Sequence, residues 1–145
     1  MTLVVRRTIR ASQQRLFDAW TQPELLLKWW GPRPVRCVGA EIDLRTGGAY
    51  RIDNEFPDGT ILSIRGTFEV VEPPRRLIYS WRAGEEAQSL ERVTVQFEAT
   101  DAGMTEVIVT HERIPGRTLL ERHKMGWEGC LDGLAAYIGD IFEPC

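Results

Sequence analysis

The spacing of hydrophobic positions changes twice along the chain, and each change predicts a different kind of element. Residues 2–10 predict a first strand. The stretch ASQQRLFDAW after it predicts a helix capped by Ser12, because a serine oxygen can accept a hydrogen bond from a free N–H of the first turn. In PELLLKWWGP, Pro23 suits the first turn of a second short helix, and Gly31-Pro32 is expected to end it.

Two adjacent tryptophans close this second helix, and neighbouring bulky side chains on one short element do not easily share a core. Trp29 and Trp30 follow Leu26 at helical spacing. The sequence predicts that the leucines and one tryptophan anchor the short helices on a sheet. The other tryptophan is expected to cover the mouth of a cavity, which would make this corner the mobile entrance for a ligand.

From Val35 onward apolar and polar residues alternate, which predicts a series of half-buried strands. Turn residues at 47–48, 57–59, 73–74 and 101–103 separate them and predict an antiparallel meander. The expected inward positions, strand by strand, are Val38, Ala40, Ile42 and Leu44; Tyr50, Ile52 and Asn54; Leu62, Ile64, Gly66, Phe68 and Val70; Leu77, Tyr79 and Trp81; Val93, Val95, Phe97 and Ala99; Val107, Val109 and His111.

The last segment, residues 117–142, contains no proline and returns to helical spacing. Trp127, Leu131 and Ile138 belong to one broad apolar stripe, which predicts a long amphipathic helix. The order of a strand, two short helices, about six strands and a long helix indicates a single α+β domain over residues 1–145. The long helix is expected to lie against the inner face of the sheet.

Composition and charge remove several classes of function. The 145 residues carry a formal net charge of −3, with 43% hydrophobic and 27% charged residues, so disorder is not expected. Nucleic acid is not expected as a partner, because phosphate contacts need a clustered basic surface. No apolar segment reaches membrane-spanning length and the N-terminus lacks a signal-peptide pattern, so we expect no membrane insertion and a cytoplasmic location.

The sequence also lacks the motifs of several common catalytic and metal sites. Cys37, Cys130 and Cys145 form no C-x-x-C pair, which argues against a disulfide framework and a zinc site. There is no G-x-S-x-G, G-x-G-x-x-G or P-loop motif, so neither that type of hydrolase nor a nucleotide is expected. HERIP has Pro115 where a metalloprotease helix needs a second histidine. We therefore predict no cofactor and no metal.

Six motifs in register resemble one known family. LLLKWWGP, IDLRTGGAYR, PDG, VVEPPRRLIYSW, VIVTHERIP and RHKMGWEGCLDGLAAYI occur in the order typical of the activator-of-Hsp-ninety-ATPase-like family. That family belongs to the SRPBCC superfamily, with START domains, polyketide cyclases and the birch-pollen allergen type. The resemblance covers residues 8–141 and implies a helix-grip fold, in which a curved antiparallel sheet of about six to seven strands wraps around a long C-terminal helix and leaves a cavity.

The side chains facing this implied cavity form the candidate ligand-binding site. They are Trp29, Trp30, Tyr50, Ile52, Asn54, Leu62, Ile64, Phe68, Leu77, Tyr79, Trp81, Val95, Phe97, Val107, Val109, His111, His123, Trp127 and Leu131. The competing interpretation is that the aliphatic members simply pack on one another. The Tyr, Trp and His members are more informative, because each carries a polar atom that needs a partner when buried.

The two histidines carry the most chemical information. His111 ends a strand on its inward side, and His123 lies four residues before Trp127 on the same helical stripe. If both face one cavity, they would serve as hydrogen-bond donors or proton-transfer groups for a ligand oxygen. The alternative is that they are satisfied by the backbone or by each other. A site of two histidines and an acid would use Glu112 or Glu121, although strand parity directs Glu112 away from His111.

Three functions follow from these observations, in order of preference. The first is binding of a small hydrophobic or aromatic molecule in the cavity without turnover. The second is an enzyme of the cyclase, dehydratase or hydrolase type, in which His111 or His123 converges with Tyr79, Asn54 or Glu121. The third is a chaperone partner that binds through an outer surface. An exposed edge strand would also support a homodimer.

Overall fold

The computed structural model describes residues 1–31, 33–84, 90–101 and 103–142, with residues 140–142 described by their backbone alone. Its elements in chain order are β1 Leu3–Ile9, α1 Gln13–Thr21, α2 Pro23–Trp29, β2 Arg36–Ile42, β3 Ala49–Glu55, β4 Ile61–Glu72, β5 Arg76–Ala83, β6 Glu91–Ala99, β7 Thr105–Glu112 and α3 Arg117–Phe142. This order confirms the predicted α+β architecture. The predictions for Pro32, Ala102 and Cys145 fall outside the described residues.

All seven strands belong to one antiparallel sheet in the order β1-β7-β6-β5-β4-β3-β2. The strands from β2 to β7 follow one another as a meander, and β1 pairs with β7 so that Leu3 lies opposite His111. The sheet curls into a half-barrel, with α3 on its inner side, which confirms the expected helix-grip fold. None of the helices in the described ranges is long and apolar enough to cross a membrane.

Local sequence explains where the short helices begin. The hydroxyl oxygen of Ser12 accepts a hydrogen bond from the backbone N–H of Arg15 at 3.1 Å, so Ser12 is the N-cap of α1 as predicted. Pro23 occupies the first turn of α2, where its missing N–H removes no helical hydrogen bond. Against α3, the helix pair approaches so closely that a Cβ at Gly133 would lie 2.7 Å from the carbonyl oxygen of Trp29.

Both tryptophans at the end of α2 are buried, so the expectation that the two neighbouring side chains do not share a core is wrong. That one of them covers a cavity mouth stays a prediction. The helix ends at Trp29, and Trp30 adopts an extended backbone conformation with φ −67° and ψ 140°. This change of conformation lets both adjacent rings enter the core. The indole of Trp29 donates to the carbonyl oxygen of Ala19 at 2.8 Å, and the ring of Trp30 packs edge-on against Trp127.

Two irregularities in strand pairing overturn part of the predicted inward face. The β2–β3 register shifts between Cys37 and Gly39, so Cys37 is buried in the core whereas Val38 is 43% exposed. The β4–β5 register shifts after Phe68, and Val71 rather than Val70 packs against the core. An extra residue on one strand reverses the faces of all residues beyond it.

Two further predicted inward positions lie at strand ends. Leu44 follows the end of β2 at Ile42 and is exposed, and Ala99, the last residue of β6, is exposed as well. Alternation therefore predicts the inward face best in the middle of each strand, where neighbours on both sides fix the pleat.

Candidate functional site

A small apolar cavity lies on the inner face of the sheet. Its volume is about 20 Å³, room for roughly one water molecule. The lining residues are Trp20, Ile42, Tyr50, Ile52, Phe68, Leu77 and Tyr79. Five of these seven belong to the candidate site predicted from the sequence. Ile42 was expected on the inward face of its strand, and Trp20 was not among the expected site residues.

The polar atoms of the cavity wall are already paired. The hydroxyl of Tyr50 donates to the carbonyl oxygen of Ser80 at 2.7 Å, and the indole N–H of Trp20 donates to the hydroxyl oxygen of Tyr79 at 3.3 Å. Burial raises the pKa of both tyrosines, so the phenols stay neutral. The cavity therefore offers a ligand apolar and aromatic surface and no free charge.

Several predicted lining residues pack in the core outside the cavity wall. Val95, Phe97, Val107, Val109 and Leu131 are at most 1% exposed, and Ile64 is buried with them. Asn54 donates from its side-chain amide to the main-chain oxygen of its cross-strand neighbour Leu62 at 3.4 Å. For these positions the packing interpretation fits the contacts better than a direct role in binding.

A cluster of tryptophan rings packs beside the cavity, and one of its members, Trp20 of α1, also lines the cavity. Trp20 stands at the centre of this cluster, with ring centroids 5.0 Å from Trp29, 6.0 Å from Trp30 and 6.0 Å from Trp127. The rings of Trp20 and Trp127 are stacked, and the ring of Trp127 in turn contacts Trp81 at 5.4 Å. All five tryptophans of the chain are buried. These large rings occupy space between the sheet and the helices, in agreement with the small volume of the cavity.

Beyond these rings, the two histidines converge on an acid that the sequence analysis missed. Nε2 of His111 and Nε2 of His123 each lie 2.8 Å from the same carboxylate oxygen of Glu91. The imidazole rings stack with centroids 4.3 Å apart. Glu91 begins β6 two residues before Val93, which pairs with His111, so the carboxylate lies on the inner face beside the imidazole.

The expected acid partners lie elsewhere. Glu112 is on the opposite face of β7, where its carboxylate lies 3.9 Å from the guanidinium of Arg92, in agreement with strand parity. Glu121 is exposed on α3. For an enzyme, a histidine was expected to lie beside Tyr79, Asn54 or Glu121. These partners are wrong, because both histidines contact Glu91 instead.

Trp127 fixes the protonation state of His111. The indole N–H of Trp127 donates to Nδ1 of His111 at 3.0 Å, so Nδ1 carries a lone pair. The proton of the neutral ring is then on Nε2, from which it is donated to Glu91. Because an ionised carboxylate only accepts hydrogen bonds, His123 also donates from Nε2. The result is an ordered chain of hydrogen bonds from Trp127 through His111 to Glu91, with His123 as the second donor.

The pKa shifts in this cluster agree with the hydrogen-bond directions. Burial by itself raises the pKa of Glu91, but the hydrogen bonds and charge interactions with His111 and His123 outweigh burial and lower the pKa to about 2. Burial lowers the pKa of His111, and the Glu91 hydrogen bond only partly opposes that effect. At neutral pH the cluster therefore contains an ionised carboxylate and a neutral His111.

This cluster is expected to make the folded protein less stable in acid. Below the ordinary histidine pKa of 6.5, His111 of the unfolded chain takes up a proton that folded His111 does not. Below the ordinary glutamate pKa of 4.5, Glu91 of the unfolded chain is protonated, whereas folded Glu91 stays ionised until about pH 2. The unfolded state binds more protons in both ranges, so stability falls as pH decreases through them. The urea midpoint measured from about pH 7.5 to about pH 3 tests this.

The comparison variant for this measurement is Glu91→Gln, which has no carboxylate to titrate. Its urea midpoint is expected to depend less on pH between about 4.5 and about 3 than that of the wild type. If the urea midpoints of the two proteins change with pH in the same way across that range, the lowered pKa of Glu91 is wrong.

Glu91, His111 and His123 also present three ligand atoms within 4.8 Å of one another, a spacing that suits a metal ion. A histidine that binds a metal normally donates its other ring N–H to an acceptor. Nδ1 of His111 instead accepts a hydrogen bond from the N–H of Trp127. If Nε2 bound a metal ion, the ring proton would move to Nδ1, and the N–H groups of His111 and Trp127 would then point at each other. The hydrogen bond from Trp127 therefore favours donation by both histidines to Glu91 over metal binding. That this site holds no metal ion stays a prediction.

Trp81 adds an unpaired donor to the cluster. It lies opposite Glu91 in the β5–β6 register, and its ring centroid is 5.1 Å from that of His111 and 6.0 Å from that of His123. The residue is 6% exposed, and among the described residues its buried Nε1 has no hydrogen-bond partner. Because a buried N–H without an acceptor costs about 1–3 kcal/mol, this atom would bind a ligand oxygen favourably.

A half-barrel sheet curled around a long C-terminal helix, with side chains of both facing an interior cluster, defines a helix-grip protein of the SRPBCC superfamily. Within that class, the chain belongs to the family described as Activator of Hsp90 ATPase homolog 1-like protein, whose model matches residues 10–139. The family expected from the motifs is thereby confirmed. No protein among those with curated descriptions matches the chain.

Solved structures from several bacteria share the fold over almost the whole chain. The AHSA1-like protein from Aeromonas hydrophila is 26% identical with a TM-score of 0.82, covering 97% of this chain and 94% of that one. The AHSA1 protein from Silicibacter pomeroyi is 22% identical with a TM-score of 0.84, covering 96% and 98%. A protein from Nitrosomonas europaea is 24% identical with a TM-score of 0.83, covering 97% and 95%.

Proposed function

We propose that this protein binds a small apolar or aromatic molecule between its sheet and its helices. The observation that supports this function is the cavity lined by Trp20, Tyr50, Phe68, Leu77 and Tyr79, whose polar atoms are paired with the protein and whose surface is apolar. Concave apolar sites on a rigid scaffold are the usual binding places for small molecules. The helix-grip fold is consistent with a domain that binds hydrophobic ligands.

Ligand entry requires one wall of the cavity to move. The present volume of about 20 Å³ holds roughly one water molecule, and an aromatic ring is several times larger. Six lining residues belong to strands β2 to β5, whereas Trp20 belongs to α1. Displacement of the Trp20 ring, together with the α1–α2 pair that carries and contacts it, is therefore the change that enlarges the site with least disturbance of the sheet.

The inward-facing side chains of β5 indicate how long a ligand in this site would be. Leu77 and Tyr79 line the cavity, and Trp81 follows two residues later on the same face. Two residues of a strand span roughly 6.6 Å, so a ring placed beside Tyr79 has its substituents one short step from Trp81. Once displacement of Trp20 has enlarged it, the site would fit a single aromatic ring with a short side chain.

Binding is tested with a panel of one-ring aromatic molecules, including phenylacetone and propylbenzene, by isothermal titration calorimetry and thermal shift. Leu77→Phe adds volume directly to the cavity wall and is expected to weaken binding at least about tenfold, because the ligand then competes with an extra ring. The matched control is Ile78→Phe, the same type of enlargement at the next residue of β5, whose side chain lies on the other face of the sheet.

The expected pattern is binding by the wild type and by Ile78→Phe, with loss in Leu77→Phe. If the wild type binds no member of the panel, or if both enlarged variants bind as well as the wild type, the internal site is wrong.

A further inference from the structure

The hydrogen-bond chain around Glu91 leaves one basic nitrogen unassigned. Nδ1 of His111 accepts from Trp127, and Nε2 of both histidines donates to Glu91. In its neutral form His123 carries its lone pair on Nδ1, because Nε2 donates to Glu91. A carboxylate that fixes the tautomer of an imidazole and leaves the other nitrogen free is the arrangement of a general base. Because the His123 side chain is 13% exposed, its proton can exchange with solvent.

The second component is an unpaired hydrogen-bond donor beside this base. The buried N–H of Trp81 has no partner among the described residues, and its ring packs edge-on against that of His123 at 6.0 Å. A fixed donor in a buried site stabilises negative charge that develops on a ligand oxygen. A base and an oxyanion donor held within one ligand's reach are the two groups that proton abstraction next to a carbonyl requires.

We propose that the protein catalyses proton transfer at the carbon next to the carbonyl group of an aromatic ketone, with His123 as the base and the indole N–H of Trp81 as the donor to the carbonyl oxygen. This inference rests on the proposed function, because the ring of the ketone occupies the enlarged cavity beside Tyr79. The carbonyl then lies one step further along β5, at Trp81. Glu91, His111 and Trp127 are positioning residues, since they act through His123.

The reaction balances without any further reagent. The C–H bond next to the carbonyl breaks, and its proton goes to Nδ1 of His123. The electron pair of that bond forms the C=C bond of the enolate, while the π pair of the carbonyl moves to the oxygen, which accepts from Trp81. Return of a solvent-exchanged proton from His123 to the same carbon regenerates the ketone, so the net result in heavy water is replacement of hydrogen by deuterium.

Phenylacetone and propylbenzene form the probe pair, because they differ only in the carbonyl oxygen. Loss of the benzylic proton signal of phenylacetone in heavy water is followed by NMR, and binding of both probes is measured by calorimetry. The wild type is expected to accelerate exchange at least about 100-fold over buffer, the lower range for a positioned general base. The indole N–H resonance of Trp81 is expected to shift on binding of phenylacetone and much less on binding of propylbenzene.

Two variants separate the roles. His123→Gln keeps an N–H that can donate to Glu91 and removes the base, so exchange is expected to fall to the buffer rate while phenylacetone still binds. Trp81→Phe keeps an aromatic ring and removes the N–H, so affinity for phenylacetone is expected to fall at least about tenfold while affinity for propylbenzene is unchanged.

The positioning role of Glu91 has its own readout. Glu91→Gln is expected to slow exchange without changing the affinity for phenylacetone, and to release the fixed tautomer of His123, which ¹⁵N NMR of the imidazole detects. Glu121→Gln makes the same chemical change at an exposed position of α3 and is expected to leave both properties unchanged.

The outcomes distinguish this inference from the proposed function. If phenylacetone binds but exchanges no faster than in buffer, or exchanges equally fast with His123→Gln, the proton-transfer activity is wrong and ligand binding stands. If neither probe binds, both proposals fail.

Discussion

Glu91→Ala is expected to lower the free energy of unfolding by about 3 kcal/mol or more, because the ring N–H groups of His111 and His123 lose their shared acceptor and each unsatisfied buried donor costs about 1–3 kcal/mol. His111 is fully buried, so water does not replace the carboxylate there. His123 is partly accessible and recovers some of the loss. Equilibrium urea denaturation at neutral pH measures the difference.

Two comparison variants make this prediction specific. Glu121→Ala shortens an exposed acid on α3 and is expected to change stability by less than about 0.5 kcal/mol. Glu91→Gln keeps an oxygen acceptor for the histidines and is expected to lose less than Glu91→Ala. If Glu91→Ala unfolds at the same urea concentration as Glu121→Ala, the carboxylate does not hold the two imidazoles as the structure places them.

The acid of this cluster was predictable from the alternation that identified its strand. Val93, Val95 and Phe97 are inward residues of β6, and continuing the same parity by one step reaches Glu91. Val93 was the first inward position predicted for this strand, because the residues before it in the sequence are mostly polar. A charged residue at an inward position of a strand needs a buried partner. When the neighbouring strand carries a buried histidine, such a residue indicates a polar cluster in the interior and not the end of a loop.

Register shifts explain two of the four wrong inward assignments in the sheet, those of Val38 and Val70. Period-two alternation in the sequence carries no information about where an extra residue enters a strand, and one such residue reverses every later side chain. Cys37 and Val71 reached the core in this way, in place of Val38 and Val70. The number and order of elements depend on longer patterns and turn residues, and these were predicted correctly.

The tryptophan pair was misjudged for a different reason. The spacing of Leu26, Trp29 and Trp30 predicted that both tryptophans belong to the helix, with their side chains about 100° apart around its axis. The helix in fact ends at Trp29, and the extended conformation of Trp30 redirects its ring into the same cluster. The volume left inside the protein depends on such ring placements, which is why its size could not be predicted from the sequence.

Trp20→Ala is expected to destabilise the fold by about 3–5 kcal/mol, the usual cost of truncating a buried large aromatic residue. Its indole contacts the rings of Trp29, Trp30 and Trp127 and also forms one wall of the cavity. Removing it joins the existing cavity to the space of a whole indole group. Met125→Ala, at a residue that is 74% exposed, is the control and is expected to stay within about 0.5 kcal/mol of the wild type.

The enlarged cavity of Trp20→Ala also allows a direct test of whether an aromatic molecule can occupy the place of the Trp20 ring. Added indole is expected to occupy it and to restore about 1.4 kcal/mol at a tenfold excess over its Kd, since a ligand that binds only the folded state stabilises that state. Indole can also renew the hydrogen bond from Trp20 Nε1 to the hydroxyl of Tyr79, whereas indene has the same shape without the N–H. Indole is therefore expected to stabilise the variant more than indene.

The wild type gives the contrast that connects this variant to the proposed function. In the proposed binding mode the Trp20 ring of the wild type leaves before another ring enters, so the affinity for a ligand is reduced by the cost of that displacement. Trp20→Ala removes the cost and is expected to bind phenylacetone more tightly than the wild type despite its lower stability. Weaker binding of phenylacetone by folded Trp20→Ala, or a stability loss below about 1 kcal/mol, would show that Trp20 does not occupy the ligand's place.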